Sequence, residues 1–161
     1  WFILENFKVS KFINKIDNKF LTLFLILIVV QIIFGAFLAG LNGGLLFNSW
    51  PDMNGNFFPD DSLYKDLYKP NSFNNPSIIQ FYHRLLGYFL IIFLVLLNYF
   101  FYKLKLSNKS ILFFNLAIIL QVVLGILTLL TGVKIYYASL HQLGSVFVLT
   151  SFLYIYYKNT N

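Results

Sequence analysis

FLTLFLILIVVQIIFGAFLAGL, residues 20–41, runs for 22 positions without a formal charge. Coiled as an α-helix at about 1.5 Å per residue, it reaches across the ~30 Å hydrocarbon layer of a bilayer. Lys15 and Lys19 precede it, as they would a secretory leader. It is too long for a leader's apolar region and has no small-x-small cleavage site, so it reads as a spanning helix. Three more stretches of the same kind follow, Ile78–Tyr102, Ile111–Gly132 and Tyr136–Tyr157. None contains an acidic residue, and apart from tyrosines their only ionisable groups are His83, Arg84 and His141. The composition agrees: 58% of the chain is hydrophobic and 11% charged, against about 25% charged in soluble domains. So few charges cannot clothe a water-facing surface, and lipid must cover the rest. The expected fold is an all-α integral membrane protein, a four-transmembrane-helix bundle.

The connections are unequal. Residues 42–77 form a long polar outer loop that holds all four prolines, Pro51, Pro59, Pro70 and Pro76. Residues 103–110 form a short basic loop and 133–135 a tight turn. Lys8, Lys11, Lys15, Lys19, Lys103, Lys105, Lys109 and Lys158 fall on one side, against Glu5 and Asp17. The other side has Lys65, Lys69 and Lys134 against Asp52, Asp60, Asp61 and Asp66. The positive-inside rule therefore puts both termini and the 103–110 loop in the cytoplasm. The same rule accounts for the net charge of +6, so no nucleic-acid partner is implied. The absence of cysteine excludes disulfides, iron–sulfur clusters and thiolate ligands. Residues 1–19 read as a cytoplasmic-side linker, and the first residue, Trp1 in place of Met, suggests a piece of something longer. Residues 20–161 form the transmembrane domain.

The sequence repeats. Gln31-Ile-Ile-Phe-Gly35 in the first span matches Gln121-Val-Val-Leu-Gly125 in the third. The second span carries His83-Arg84 with Gly87 four residues on, and the fourth His141-Gln142 with Ser145 four residues on. The bundle is thus two repeated helical hairpins, each ending in a histidine-bearing helix. Repeats of this kind place shared sites at their interface. Gln31 and Gln121 read as interhelical hydrogen-bond donors, and the pairs Gly35/Ala39 and Ala36/Gly40 as close-packing contacts.

His83 lies five residues past Ile78, and His141 five past Tyr136. Both helices run inward, so both imidazoles sit about 7–8 Å below the outer boundary and can face each other. Ionisable groups at that depth are costly and usually functional. A zinc site needs more donors than two imidazoles. Two suffice when a porphyrin supplies the other four nitrogens, as in axial ligation of haem iron. Gly87 and Ser145 share the histidine face, with Gly144 adding room for a flat macrocycle. Arg84 is placed either to pair with a haem propionate or to snorkel toward the headgroups.

These residues carry a resemblance. Gly35-Ala-Phe-Leu-Ala39-Gly40, Asn48-Ser-Trp50-Pro51-Asp-Met53-Asn-Gly55, Pro59, Gln80-Phe-Tyr-His83-Arg84, Gln121-Val-Val-Leu-Gly125-Ile-Leu-Thr128 and His141-Gln142 resemble the C-terminal half of the haem A synthase family, from about residue 20 to the end. The resemblance implies an eight-helix oxidoreductase of two similar halves that oxidises a methyl group of haem O to the formyl group of haem A for cytochrome c oxidase. It implies haem b as cofactor, His83 and His141 as iron ligands, and Arg84 and Gly87 at the cofactor. Haem O would meet the other, N-terminal half, where the family carries a second histidine pair and an acidic residue. None of the four spans here has a carboxylate, so the expected chain is a half-enzyme, inactive alone, with no catalytic residue assigned. Residues 1–19 would end the linker between halves, and Trp50 reads either as an interfacial anchor or, in the run Leu45–Met53, as part of a lid folded back over the outward haem edge. Haem O synthase and an oligomeric partner are further implied possibilities. The implied location is a bacterial plasma membrane, with the mitochondrial inner membrane as alternative. Two other readings stand beside this one: a membrane b-type cytochrome subunit that relays electrons, and a haem-free structural or transport bundle.

Overall fold

The computed structural model describes residues 4–5, 9–106 and 109–160. Residues 1–3 and 6–8 of the expected linker, including Lys8, residues 107–108 of the basic loop, and residue 161 lie outside the described residues. Four helices carry the fold: α1 Asn18–Gly40, α2 Pro76–Lys103, α3 Lys109–Leu130 and α4 Ile135–Thr160. All four are long and apolar enough to cross a membrane. Short 3-10 turns at Gly43–Leu45, Tyr64–Tyr68 and Pro70–Asn74 punctuate the loop between α1 and α2.

Polar caps set the helix ends, which differ from the apolar limits by a few residues. Asp17 accepts a hydrogen bond from the Lys19 amide at 2.7 Å, so α1 starts ahead of Phe20. The Asn75 side chain accepts from the amides of Ser77 and Ile78, and Pro76 takes the first position of α2, where a missing N–H costs nothing. At the far end Lys105 adopts a left-handed φ of 55°, and the Leu106 amide reaches back to the Phe101 carbonyl, which closes the helix in a Schellman turn. Helix α3 stops at Leu130, two residues short of the expected Gly132. Gly132 has φ 68° and belongs to the turn, because a left-handed residue cannot continue a right-handed helix.

The helices pack as α1 on α2 and α3 on α4, with α1 also against α4. Asn98 of α2 and Asn115 of α3 exchange reciprocal amide hydrogen bonds at 3.0 and 2.7 Å and join the two hairpins. An amide pair buried in lipid has no water to return to, which makes such a contact worth keeping.

Two cores flank the middle of the bundle. The inner one is aromatic: Phe24 is fully buried, with ring centres 5.0 Å from Phe152, 6.1 Å from Phe114 and 6.4 Å from Phe93. Residues 9–17 close its base. The Phe12 amide donates to the Lys158 carbonyl, the Asn159 side chain bonds both backbone groups of Ile16, and Asn14 donates to the Leu104 carbonyl. The segment before α1, the start of the basic loop and the end of α4 therefore share one end of the bundle. The outer core is built by the long loop, where Phe47, Met53 and Phe58 pack on Phe81. The histidines lie between these cores.

Candidate functional site

The repeat in sequence is a repeat in space. Gln31 Nε2 donates to the His83 carbonyl at 3.0 Å, and Gln121 Nε2 donates to the His141 carbonyl at 2.7 Å. Each glutamine thus ties the first helix of its hairpin to the histidine turn of the second. One turn further along, the paired glycines seat the imidazoles. A Cβ on Gly35 would lie 3.2 Å from His83 Cε1, and one on Gly125 would lie 2.9 Å from His141 Cε1. The close helix contact expected at Gly35 is made with a ring, for which its missing side chain makes room. Nothing lies within 4 Å of a Cβ at Gly40, so the Ala36/Gly40 pair makes no close helix contact there. The second-helix glycines lie beside the glutamines. A Cβ on Gly87 would meet Gln31 Nε2 at 3.5 Å, and one on Gly144 would collide with Gln121 Oε1.

The two rings face each other across the bundle, centres 6.5 Å apart and planes crossed at 85°. That separation has a chemical meaning. A metal–imidazole bond of about 2.0–2.1 Å, plus about 1.1 Å from ring nitrogen to ring centre on each side, sums to ~6.2–6.4 Å. The observed spacing of the ring centres is close to that sum. Among the described residues no group of three or more His, Cys, Asp or Glu surrounds a common point. Several buried polar atoms also wait for partners: His83 Nδ1, Arg84 Nε and the Oε1 atoms of Gln31 and Gln121 make no hydrogen bond. Buried polar atoms of this kind normally have a partner.

Arg84 follows His83 but turns toward the outer loop. Its Nη1 donates to the carbonyls of Ser49 and Asp52, at 3.0 and 2.5 Å, and its Nη2 to that of Phe47 at 2.8 Å. Three of the five guanidinium N–H groups are engaged, with Nε still free of any bond. Gln80 adds a bond to the Phe47 carbonyl and Tyr88 one to the Pro51 carbonyl, while Asn48 donates to the Leu129 carbonyl at the end of α3. Residues 47–53 are thereby strapped across the outer ends of α2 and α3, next to the histidines. The sequence pointed to Arg84 but not to these partners, since loop carbonyls carry no side-chain signature.

Asp52 stiffens the strap. Its carboxylate accepts from the Ser49 hydroxyl at 2.7 Å, and this bond, then one from the Gly55 backbone, then the charge of Arg84, hold its pKa below the ordinary 3.8. A depressed folded pKa means that this contribution is complete above the unfolded value and fades as pH falls through the lower, folded one. Protection factors of the loop amides at Asn54 and Gly55 should therefore be level from pH 7 to about 4 and decline below. Hydrogen exchange read by mass spectrometry checks this, and a decline beginning near pH 6 would contradict it.

The family model described as cytochrome oxidase assembly protein matches residues 9–153. Proteins named heme A synthase are similar to the chain. That of Pelagibacter ubique (strain HTCC1062) is 56% identical over 161 residues, covering all of this chain and 48% of the relative. That of Wolbachia pipientis wMel is 38% identical over 130 residues, 81% of this chain and 36% of the relative. That of Bartonella quintana (strain Toulouse) is 37% identical over 134 residues, 80% and 37% respectively. The chain thus spans half or less of the length of these curated relatives. No solved structure matches.

Proposed function

The chain belongs to the cytochrome oxidase assembly protein family, and from that premise we propose that it is the haem-b-binding half of a haem A synthase. The carrying observation is the His83–His141 pair, with ring centres 6.5 Å apart on α2 and α4. In this reading the two histidines would hold one haem, which would supply one-electron transfer when bound. Gly35 and Gly125 hold the rings in place from behind. Arg84 borders the macrocycle with its unpartnered Nε, suited to a propionate, while its other nitrogens hold the 47–53 strap as a lid. Gly87 keeps the same helix face low. The lipid-facing helices make it a multi-pass membrane protein, and the bacterial relatives favour a bacterial plasma membrane.

The reaction proposed for the longer protein is oxidation of the haem O methyl group to the formyl group of haem A, for use in cytochrome c oxidase. The described helices α1–α4 carry no carboxylate near the histidines, so the groups that act on haem O are assigned to the rest of that protein. The test is a full-length protein containing this segment, expressed in cells with no other source of haem A. His83→Ala together with His141→Ala should lower extracted haem A at least tenfold, the scale of one lost positioning interaction, with haem O accumulating. Undiminished haem A would overturn the role given to the histidine pair, and no haem A even with the wild-type protein would favour a b-type electron carrier.

A further inference from the structure

The long loop leaves the bundle at its outer end, yet one part of it turns back along the helices. Phe34 lies six residues before the end of α1 at Gly40, and Tyr82 six residues past the start of α2 at Pro76. Each is therefore ~9 Å along its helix from the outer end. Both are held by the loop, directly or through a neighbouring ring. The Phe73 ring centre stands 6.3 Å from those of Phe34 and Phe37, and Phe34 packs edge-on against Tyr82 at 5.6 Å. The Tyr82 hydroxyl donates to the Leu67 carbonyl at 2.9 Å. Residues 67–73 thus lie against the outer flank of α1 and α2 and do not project as a free loop.

The two sides of this segment differ. Asp66, Lys69, Asn71, Ser72 and Asn74 line a polar groove with Ser77 at the start of α2. Phe73 is instead applied to a spanning helix. It is still 51% exposed, and its neighbour Phe37 is 45% exposed, so about half of each ring is left uncovered by protein. Beside a spanning helix the solvent for such a surface is hydrocarbon. Further along, Tyr68, Tyr64 and Leu63 are exposed as well. Tyrosine has an apolar ring with a polar tip, which suits the boundary between acyl chains and water.

A segment at that boundary must satisfy its own backbone, because water there is scarce. Successive tight turns do this. The amide of Asp66 donates to the Leu63 carbonyl, that of Lys69 to Asp66, that of Ser72 to Lys69 and that of Asn75 to Ser72. The Leu63 amide donates to the Asp66 carboxylate, and Pro70 has no N–H to place. Asp66 and Lys69 also form an ion pair at 2.6 Å, so two charges of the stretch cancel.

We propose that residues 63–74 are a membrane-interfacial segment, lying in the headgroup region of the outer leaflet with Phe73 inserted among the acyl chains beside α1. The partner of this surface is lipid. The polar groove stays on the aqueous side, and the tyrosines mark the boundary between the two.

The experiment uses a full-length protein containing this segment, reconstituted in vesicles of phosphatidylcholine and phosphatidylglycerol. These 161 residues contain no cysteine, so a single introduced cysteine can carry a nitroxide once cysteines elsewhere are replaced by serine. Power saturation then compares access of oxygen, which concentrates in lipid, with access of a water-soluble nickel chelate. Val95→Cys, on an exposed mid-span position of α2, gives the lipid reference, and Asp60→Cys, exposed in the outer loop, the aqueous one. The oxygen-to-nickel ratio at Phe73→Cys should approach that of Val95→Cys and exceed that of Asp60→Cys about tenfold. A ratio equal to that of Asp60→Cys would mean that the segment lies in water, and exclusion of both reagents would mean that protein covers it. Either result overturns the proposal. Asn74→Cys leaves the Phe73 ring in place and should give an intermediate ratio. Adding Phe73→Ser to Asn74→Cys should lower that ratio roughly threefold as the anchor is lost, with the helix content by circular dichroism unchanged. No change on adding Phe73→Ser also overturns it.

Discussion

Valine in place of Gly125 should empty the proposed haem site. Even an alanine Cβ would stand 2.9 Å from His141 Cε1 and 3.4 Å from its Nδ1, inside van der Waals contact. The ring cannot step aside freely, because its Nδ1 is held by the Gln121 carbonyl and its backbone by the Gln121 side chain. Overpacking of this kind costs about 1–3 kcal/mol for one or two added carbons, and here the cost falls on ligand geometry. Haem retention should drop roughly tenfold in Gly125→Ala and beyond detection in Gly125→Val. Gly35→Ala, with its wider 3.2 Å approach to His83 Cε1, should lose less than Gly125→Ala. Haem-to-protein ratios after gel filtration measure all three. Equal retention in Gly35→Ala and Gly125→Ala would count against the seating argument.

Phe24→Ala should be the most damaging single change to the fold. The ring is fully buried and is the only residue of α1 whose ring reaches Phe93, Phe114 and Phe152 together. In a bilayer the water-transfer part of a core substitution largely disappears, because lipid is as apolar as the core. The cavity part remains. Removing about 100 Å³ at about 24 cal/mol per Å³ gives ~2.4 kcal/mol if the neighbours do not collapse. Phe20→Ala, at a half-buried edge of the same cluster, should cost well under half as much. Reversible unfolding in mixed micelles measures the difference, and equal losses would mean that the inner core is not packed around Phe24.

How much of this could be read from residues alone differs sharply between features. The spans were legible because a run without charge has one physical solution at that length. The matched depth of His83 and His141 was legible because helical rise converts sequence distance into depth, and the Gln-x-x-x-Gly repeat announced the hairpins. The uses of the glycines were not legible. A small residue four places from another signals helix packing and ring seating alike, and only the neighbouring helix decides which. Arg84 was visible as a functional cation, but its engagement with the Phe47, Ser49 and Asp52 carbonyls depends on a loop path that no side-chain pattern encodes. Asn98 and Asn115 went unnoticed although a signal existed: each is an amide inside an apolar span, about five residues from the same basic loop. The folding of residues 9–17 over the end of α4 left no trace in hydropathy, because its anchors are the backbone of Phe12 and Ile16.

The pairing of the two hairpins suggests why one bundle is built twice. Each half-site supplies one imidazole, one glutamine and one glycine, and in the proposed reading neither hairpin alone would complete an iron coordination shell. Haem binding and the assembly of the bundle would then be a single event, stabilised by mass action whenever haem is bound to the folded form.

The most direct test is haem titration of the purified chain, with spin state followed by its absorption and electron paramagnetic resonance spectra. Wild type should take up one haem per chain and become low-spin and six-coordinate, while the His83→Ala/His141→Ala double variant, still helical by circular dichroism, should bind none. A low-spin six-coordinate haem retained in that double variant would contradict the account.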